Sequence, residues 1–319
     1  MKSTTVRRVT LSMAVAAALT SVAACGSSSG SGKGDKAAGG GTIHVSPIAA
    51  VLRSAEQSTD KADSAKVRST MSLGNVMSAT GTGALTWAHG LQGNMTLTYT
   101  GGQMAEMMRA AGTSTTQARY LPDAYYAHMS DTFARKAGGK HWLRYAYADL
   151  AQYGGASGSY MKDQLQNATP TQTVKLLLAS HDVKKVGQET VSGVRTTHYS
   201  GTVNVADFAG RSSNLGADQL AALKKQLDQA GVTTETVDIW INDQNLPVKK
   251  TERADTARGA LNSTAYYSDY GVPVSAEAPP ASDTKDFKDL LKSLGTPGSG
   301  NTSSGSATGV PGAGTGISS

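Results

Sequence analysis

The chain of 319 residues contains one cysteine, three phenylalanines and only 6% aromatic residues. A single thiol excludes an internal disulfide and a thiolate metal site, so stability has to come from a packed core. No apolar run reaches the ~20 residues that a permanent transmembrane helix needs. Basic residues do not cluster, and Lys plus Arg (30) only modestly exceeds Asp plus Glu (24), which argues against a dedicated nucleic-acid binder. The six histidines, at 44, 89, 128, 141, 181 and 198, form no metal-binding pair on an expected helix, so no metal is expected. No glycine-rich phosphate loop lies between a strand and a helix. Two Ser-x-x-Lys pairs occur, Ser58 with Lys61 and Ser159 with Lys162, but neither has the Lys-Thr-Gly and Ser-Asp-Asn companions of the penicillin-recognising enzymes. The nearest strings are Lys250-Thr251-Glu252 and Ser268-Asp269-Tyr270. The expectation is a protein that is not an enzyme and holds no cofactor.

The position of the lone cysteine is informative. Residues 1–24 have a basic start (Lys2, Arg7, Arg8), a mostly apolar stretch (VTLSMAVAAALT) and small residues before Cys25, the three parts of a secretory signal peptide. The apolar stretch would extend only ~18 Å as a helix, short of a ~30 Å hydrocarbon core. The residues VAAC (22–25) resemble the lipobox of bacterial lipoproteins. That resemblance implies diacylglycerol on the Cys25 thiol, cleavage before it, and a new N-terminus open to further acylation, for instance with palmitate. Thiol chemistry suits the attachment because a thiolate is the competent nucleophile. Two or more acyl chains anchor stably where one is marginal. Removing the leader takes three basic residues away and leaves the chain weakly basic. Residues 25–45 are then a lipidated cysteine and a Gly/Ser-rich tether; the sixteen residues 26–41 reach roughly 20–24 Å as a flexible coil. At the other end, residues 281–319 read as a tail, which from about 295 is uncharged, low in complexity and expected to be disordered.

Between these ends, residues 46–280 form one domain. SPIAAVLRSAEQSTDK (46–61) has a Ser–Pro start and helical spacing of Ile48, Val51, Leu52 and Ala55. Alternating or aromatic-rich runs follow at 67–73, 82–87, 94–100, 118–130 and 140–147, as strands favour. Short helices are expected at 149–154, 159–165 and 169–181. Residues 183–205 then read as a hairpin turning at Ser192-Gly193, residues 217–231 as a helix stopped by Gly231, and 237–243, 247–255 and 260–271 as a strand meander. The pattern is α+β, with about ten or eleven strands.

Three segments, GQETVSGVRTTHYSGTV (187–203), VDIWINDQNLPVKKTER (237–253) and YSDYGVPVSAEAPP (267–280), resemble the LolA-like lipoproteins of the LppX/LprG type, with a weaker echo in YLPDAYYAHMS and KHWLRY. The resemblance implies a strongly curved antiparallel half-barrel with helices packed on its concave face and an apolar cavity between the layers. It also implies an anchored protein on the extracytoplasmic face of the cell membrane, with a lipid or glycolipid as ligand. The alternative within the same fold is a module that binds or senses another envelope protein and holds no lipid. Candidate cavity residues are Met104, Met107 and Met108 at helical spacing in GGQMAEMMRAAG, and Leu220, Leu223 and Leu227 on one face of ADQLAALKKQLDQAG. Methionine adapts to irregular apolar partners, so the first stripe fits a flexible lip, although a short helix that simply packs on the sheet is the commoner use of such a stripe.

Overall fold

The computed structural model describes residues 46–153, 155–212 and 216–293, so Cys25, the tether and the tail from about 295 lie outside the described residues. The first helix, α1 (Pro47–Ala62), starts with proline at its first position, where the missing N–H costs nothing, and buries Leu52 and Ala55. Three antiparallel strands follow: β1 (Ser64–Leu73), β2 (Met77–Thr86) and β3 (Gln92–Gly101). The short helix α2 (Gly102–Ala110) leads to β4 (Thr115–Tyr120) and β5 (Ala124–His128). The single run expected over 118–130 is broken because Pro122 cannot donate to a ladder; the chain turns there, and Leu121 N–H reaches the Ala124 carbonyl at 3.0 Å. Helix α3 (Asp131–Lys136), capped by the Ser130 hydroxyl, precedes β6 (Trp142–Ala146).

Three helices come next, α4 (Tyr147–Tyr153), α5 (Gly155–Gln166) and α6 (Pro170–Ala179). The expected hairpin is present as β7 (Lys184–Val191) and β8 (Val194–Asn204), with Ser192 at φ 50° and Gly193 at φ 81°, the two positive angles that a tight hairpin turn requires. The strand expected to run to 205 stops one residue sooner, and Val205 opens α7 (Val205–Ser212), followed by α8 (Ala217–Gln229). The meander is β9 (Thr234–Asn242), β10 (Pro247–Thr256) and β11 (Gly259–Ser268).

The ordered fold extends beyond residue 280, where the domain was expected to end. Strand β12 (Thr284–Asp286) pairs with β6 in parallel, and α9 (Phe287–Ser293) places Phe287 and Leu290 against the core. Tail residues 281–293 were unreadable as structure because a three-residue strand carries almost no periodicity.

All twelve strands belong to one sheet, in the order β12-β6-β5-β4-β3-β2-β1-β11-β10-β9-β8-β7. The expected ten or eleven falls short by the C-terminal addition; the α+β class and the large, curved, unclosed sheet are as expected. Strand twist makes so wide an antiparallel sheet curl rather than lie flat. Its two meanders, β1–β6 and β7–β11, are joined where β1 pairs with β11, residues about two hundred positions apart in the chain.

One face of the sheet carries three apolar clusters. Leu97, Tyr125 and Leu143 gather with Leu150 of α4 and Leu165 of α5; Val237, Ile239 and Tyr199 with Leu52 of α1 and Leu177 of α6; Leu73, Ala254 and Leu261 with Leu223 and Leu227 of α8. Helix α6 comes close to the sheet at Gly201 on β8, where a Cβ would stand 2.6 Å from Ser180 Oγ and 3.1 Å from Leu177 Cδ2. Gly201→Val is therefore expected to lift the end of α6 and destabilise the protein by about 1–3 kcal/mol, read as a lower urea midpoint. An unchanged midpoint would mean that α6 is not seated on this strand.

Candidate binding cavity

The topology fixes where a cavity can form. Strands β6 and β7 lie toward opposite edges of the sheet, so the connection between them has to cross the whole face, and α4, α5 and α6 make that crossing. The pair α7 and α8 is inserted between the adjacent strands β8 and β9. Three helical groups thus cover one concave face, and their clusters do not merge. Between them lies a cavity of about 150 Å³. Met95 and Tyr120 line it from the first cluster, Leu176 and Val203 from the second, and Met71 and Val205 from the third.

The register explains why the gap is unfilled. One row across the sheet pairs Leu97 with Gly81, Gly81 with Ser69, Ser69 with Ala265, and Ala265 with Lys250. Three consecutive positions in that row have almost no side chain, and all three line the cavity. Small residues on the strands leave space that the helices above cannot reach, and close-packed interiors rarely leave such space unfilled. Its lining includes the exposed Asn167 at the α5–α6 turn and the exposed Thr70 of β1.

The wall formed by β9, β10 and β11 is not apolar. Lys250 Nζ lies 2.6 Å from Glu252 Oε1, and Glu235 and Tyr267 complete the group. Lys250 retains 18% of its side-chain surface although it is enclosed by protein, because that surface faces the cavity. Burial alone would lower the Lys250 ammonium; the Glu252 carboxylate beside it outweighs burial and holds it above its usual range. Burial, reinforced by the like charge of Glu252 and opposed by Lys250, pushes the Glu235 carboxyl up to about 8. Burial also raises Asp163 on α5 and Tyr267 on β11.

Three buried polar atoms in this lining have no hydrogen-bond partner: Glu235 Oε1 from β9, Tyr120 Oη from β4 and Thr173 Oγ1 from α6. Buried polar groups are nearly always bonded, and a bound molecule can supply the missing partners here where the wall gives enough to uncover these nearly enclosed oxygens. The cavity can hold a mainly hydrocarbon guest with a few polar atoms. As it stands it has roughly the size that takes up a benzene-like guest, so a longer tail has to extend beyond it.

None of the six cavity residues expected from the sequence lines this cavity. Met104 and Met108 pack on Ala79 and Tyr99 of β2 and β3, and Met107 points to solvent, 56% exposed. The methionine stripe is the packing face of a short helix. Leu223 and Leu227 bury against Leu73 and Leu261, and Leu220 lies over Gly210 of α7. Glu235, Lys250 and Glu252 were missed, although one signal was available: in TETVDIWI, alternation places Glu235 on the same face as Val237, Ile239 and Ile241. An acid on an otherwise apolar strand face is the mark of a polar group facing inward.

The opposite face carries a separate network. His198 Nε2 and Asp238 Oδ1 are 2.8 Å apart, His198 Nδ1 and Glu189 Oε1 3.0 Å, and Thr251 and Arg253 donate to Asp238 Oδ2. Burial would raise the Asp238 carboxyl, but the bonds from His198, Ser200, Thr251 and Arg253 bring it below the usual carboxylate range. The His198 ring stacks on Trp240, with centroids 4.1 Å apart. This is the bonded structural histidine that a strand position suggests.

No protein-family model matches the chain. A Streptomyces griseus protein, "Uncharacterized 31.2 kDa protein in rplA-rplJ intergenic region", is 58% identical over 256 residues, covering 80% of this chain and 84% of the relative. The Streptomyces coelicolor "Putative lipoprotein SCO4650" is 46% identical over 311 residues, covering 93% of this chain and all of the relative. Among solved structures, the Mycobacterium tuberculosis lipoprotein LppX is similar with a TM-score of 0.45 and 14% identity, covering 72% of this chain and 98% of that one.

Proposed function

The chain belongs to one family with the Streptomyces coelicolor protein described as a putative lipoprotein, and from that premise we propose that it is a membrane-anchored envelope protein that shelters acyl chains between its sheet and helices. The anchor is diacylglycerol on Cys25, and the domain works beside the extracytoplasmic face of the membrane as a binder and not a catalyst. The observation that carries this reading is the cavity of about 150 Å³, apolar over most of its wall, between the sheet and its helices. Hydrocarbon placed there gains ~0.8 kcal/mol per buried CH₂, which suffices for reversible binding without any reactive group. Among the described residues no helix is long and apolar enough to cross a membrane, so the reading gives attachment to the N-terminal lipid alone.

Native mass spectrometry of the mature chain from its own type of host is expected to show co-purified acyl lipid, and the delipidated protein is expected to take up a fluorescent fatty acid. Leu176→Trp, which fills the void from α6, is expected to weaken uptake about tenfold, whereas Met107→Asp leaves it unchanged because that side chain lies outside the cavity. A ligand-free mass together with no uptake would sink the carrier reading. It would favour the second one, a protein-binding module, for which β7 offers an open sheet edge with Val186 and Val194 exposed nearby.

A further inference from the structure

We propose that the polar end of the bound acyl molecule sits against Glu235, Lys250 and Glu252, and that it is an uncharged hydrogen-bond acceptor, the carbonyl of an acyl ester. The inference rests on the acyl-binding reading above and narrows it to a class of ligand.

Charge decides between head groups. The lining contains one cation, Lys250, and three acids, Asp163, Glu235 and Glu252, with no arginine or histidine among the described residues. The one cation is already engaged by Glu252 at 2.6 Å. A carboxylate or phosphate entering the cavity would therefore meet no free positive charge and up to three negative ones, a burial cost that nothing in the wall offsets. An amine would have to lie beside the Lys250 ammonium and draw the proton from Glu235. An ester is neutral and makes neither demand.

Hydrogen bonding points the same way. The ionisable groups facing Glu235 are Lys250 and Glu252 from β10, Tyr267 from β11, and Asp163 and Tyr120 across the cavity from α5 and β4. In those surroundings the Glu235 carboxyl keeps its proton at neutral pH, so it offers an O–H donor at a wall where its Oε1 has no protein partner. Tyr120 and Thr173 each add a hydroxyl with no partner to the same lining. A cavity whose spare groups can each donate from a neutral group suits an acceptor that carries no charge. The Lys250–Glu252 pair, satisfied by itself, is left undisturbed.

The test compares three probes with the same twelve-carbon tail on the delipidated mature chain: 1-lauroylglycerol, laurate and dodecylamine. At neutral pH the ester is expected to bind about tenfold or more tightly than either charged probe. Its affinity is expected to fall as pH rises through about 8, where Glu235 loses its proton. In Glu235→Gln the amide still donates, so binding persists and the pH dependence disappears; in Glu235→Leu ester binding drops about tenfold. Thermal unfolding of both variants, expected at or above the wild-type midpoint because a buried carboxyl has been removed, separates lost binding from lost folding. Laurate or dodecylamine binding as tightly as the ester, or Glu235→Leu with unchanged ester affinity, overturns the proposal and leaves acyl binding standing. If none of the three probes binds, the acyl-binding reading fails and this proposal fails with it.

Discussion

Lys250→Met is expected to lower the unfolding free energy by about 3–5 kcal/mol at neutral pH, the range for a buried ion pair stripped of one partner. The substitution leaves Glu252 and Glu235 desolvated side by side with no cation in the cavity. Two such carboxyls cannot both ionise cheaply, so each holds its proton more tightly in the folded chain than in the unfolded one. The sign of the pH effect follows from proton counting. Between an unfolded value near ~4.3 and the raised folded values, the native state binds protons that the unfolded state has released, so stability falls as pH rises. Each such group contributes a slope of ~1.4 kcal/mol per pH unit across that window. Wild type has this slope from Glu235, whose folded value is raised to about 8, and Lys250→Met is expected to steepen it. Urea midpoints between about pH 5.5 and 8.5 measure the difference, and the deficit of the variant should shrink toward the acid end. The triple variant Lys250→Met/Glu252→Leu/Glu235→Gln is expected to recover most of the loss, because a buried pair replaced by apolar groups of similar volume is often neutral or stabilising. A triple variant as unstable as Lys250→Met alone would show that the side chains matter here through packing and not through charge.

The second large effect is on location. Cys25→Ser removes the only thiol in the chain and with it the only place where diacylglycerol could attach. Expressed in a bacterium with lipoprotein processing, the wild type is expected almost wholly in the membrane fraction and in the detergent phase of a phase-separation assay. The variant is expected in the soluble extracytoplasmic fraction or held as unprocessed precursor. The difference should be near complete because the proposed anchor, diacylglycerol on Cys25, carries two acyl chains, and its loss leaves no graded affinity behind. A Cys25→Ser protein that stays in the membrane fraction after signal cleavage would place the attachment elsewhere. The two experiments are independent: Lys250→Met should unfold more easily while remaining anchored, and Cys25→Ser should be released while remaining folded.

Local signals in the sequence were reliable where short-range physics decides. Proline at the start of α1, the Ser192-Gly193 turn between β7 and β8, and Gly231 after α8 (φ 70°) each act through the backbone angles of one or two residues. Period-two alternation located the strands of both meanders. Those signals failed where the deciding contact was distant. Phe287 and Leu290 gain a place in the core only through the parallel pairing of β12 with β6, and a three-residue strand announces nothing in advance. The methionine stripe of α2 showed the right chemistry for a lipid entrance and proved to be a packing face, because periodicity reports that a face is buried and not what it is buried against.

From the sequence alone, then, came the expectation of a leader, a lipobox-like cysteine and a tether, and the pattern of antiparallel strands with helices inserted that the fold bears out. Tertiary structure alone decided the cavity. Gly81, Ser69 and Ala265 are unremarkable in isolation; they form a floor because β1 pairs with both β2 and β11 in one particular register. A shift by one residue would turn each of those side chains to the opposite face. The same register brings Lys250 next to that floor and Glu252 to the neighbouring row. Side-chain direction in a strand is a local property, but the β1–β11 pairing that completes the floor joins residues some two hundred positions apart, and that pairing is where the cavity arises.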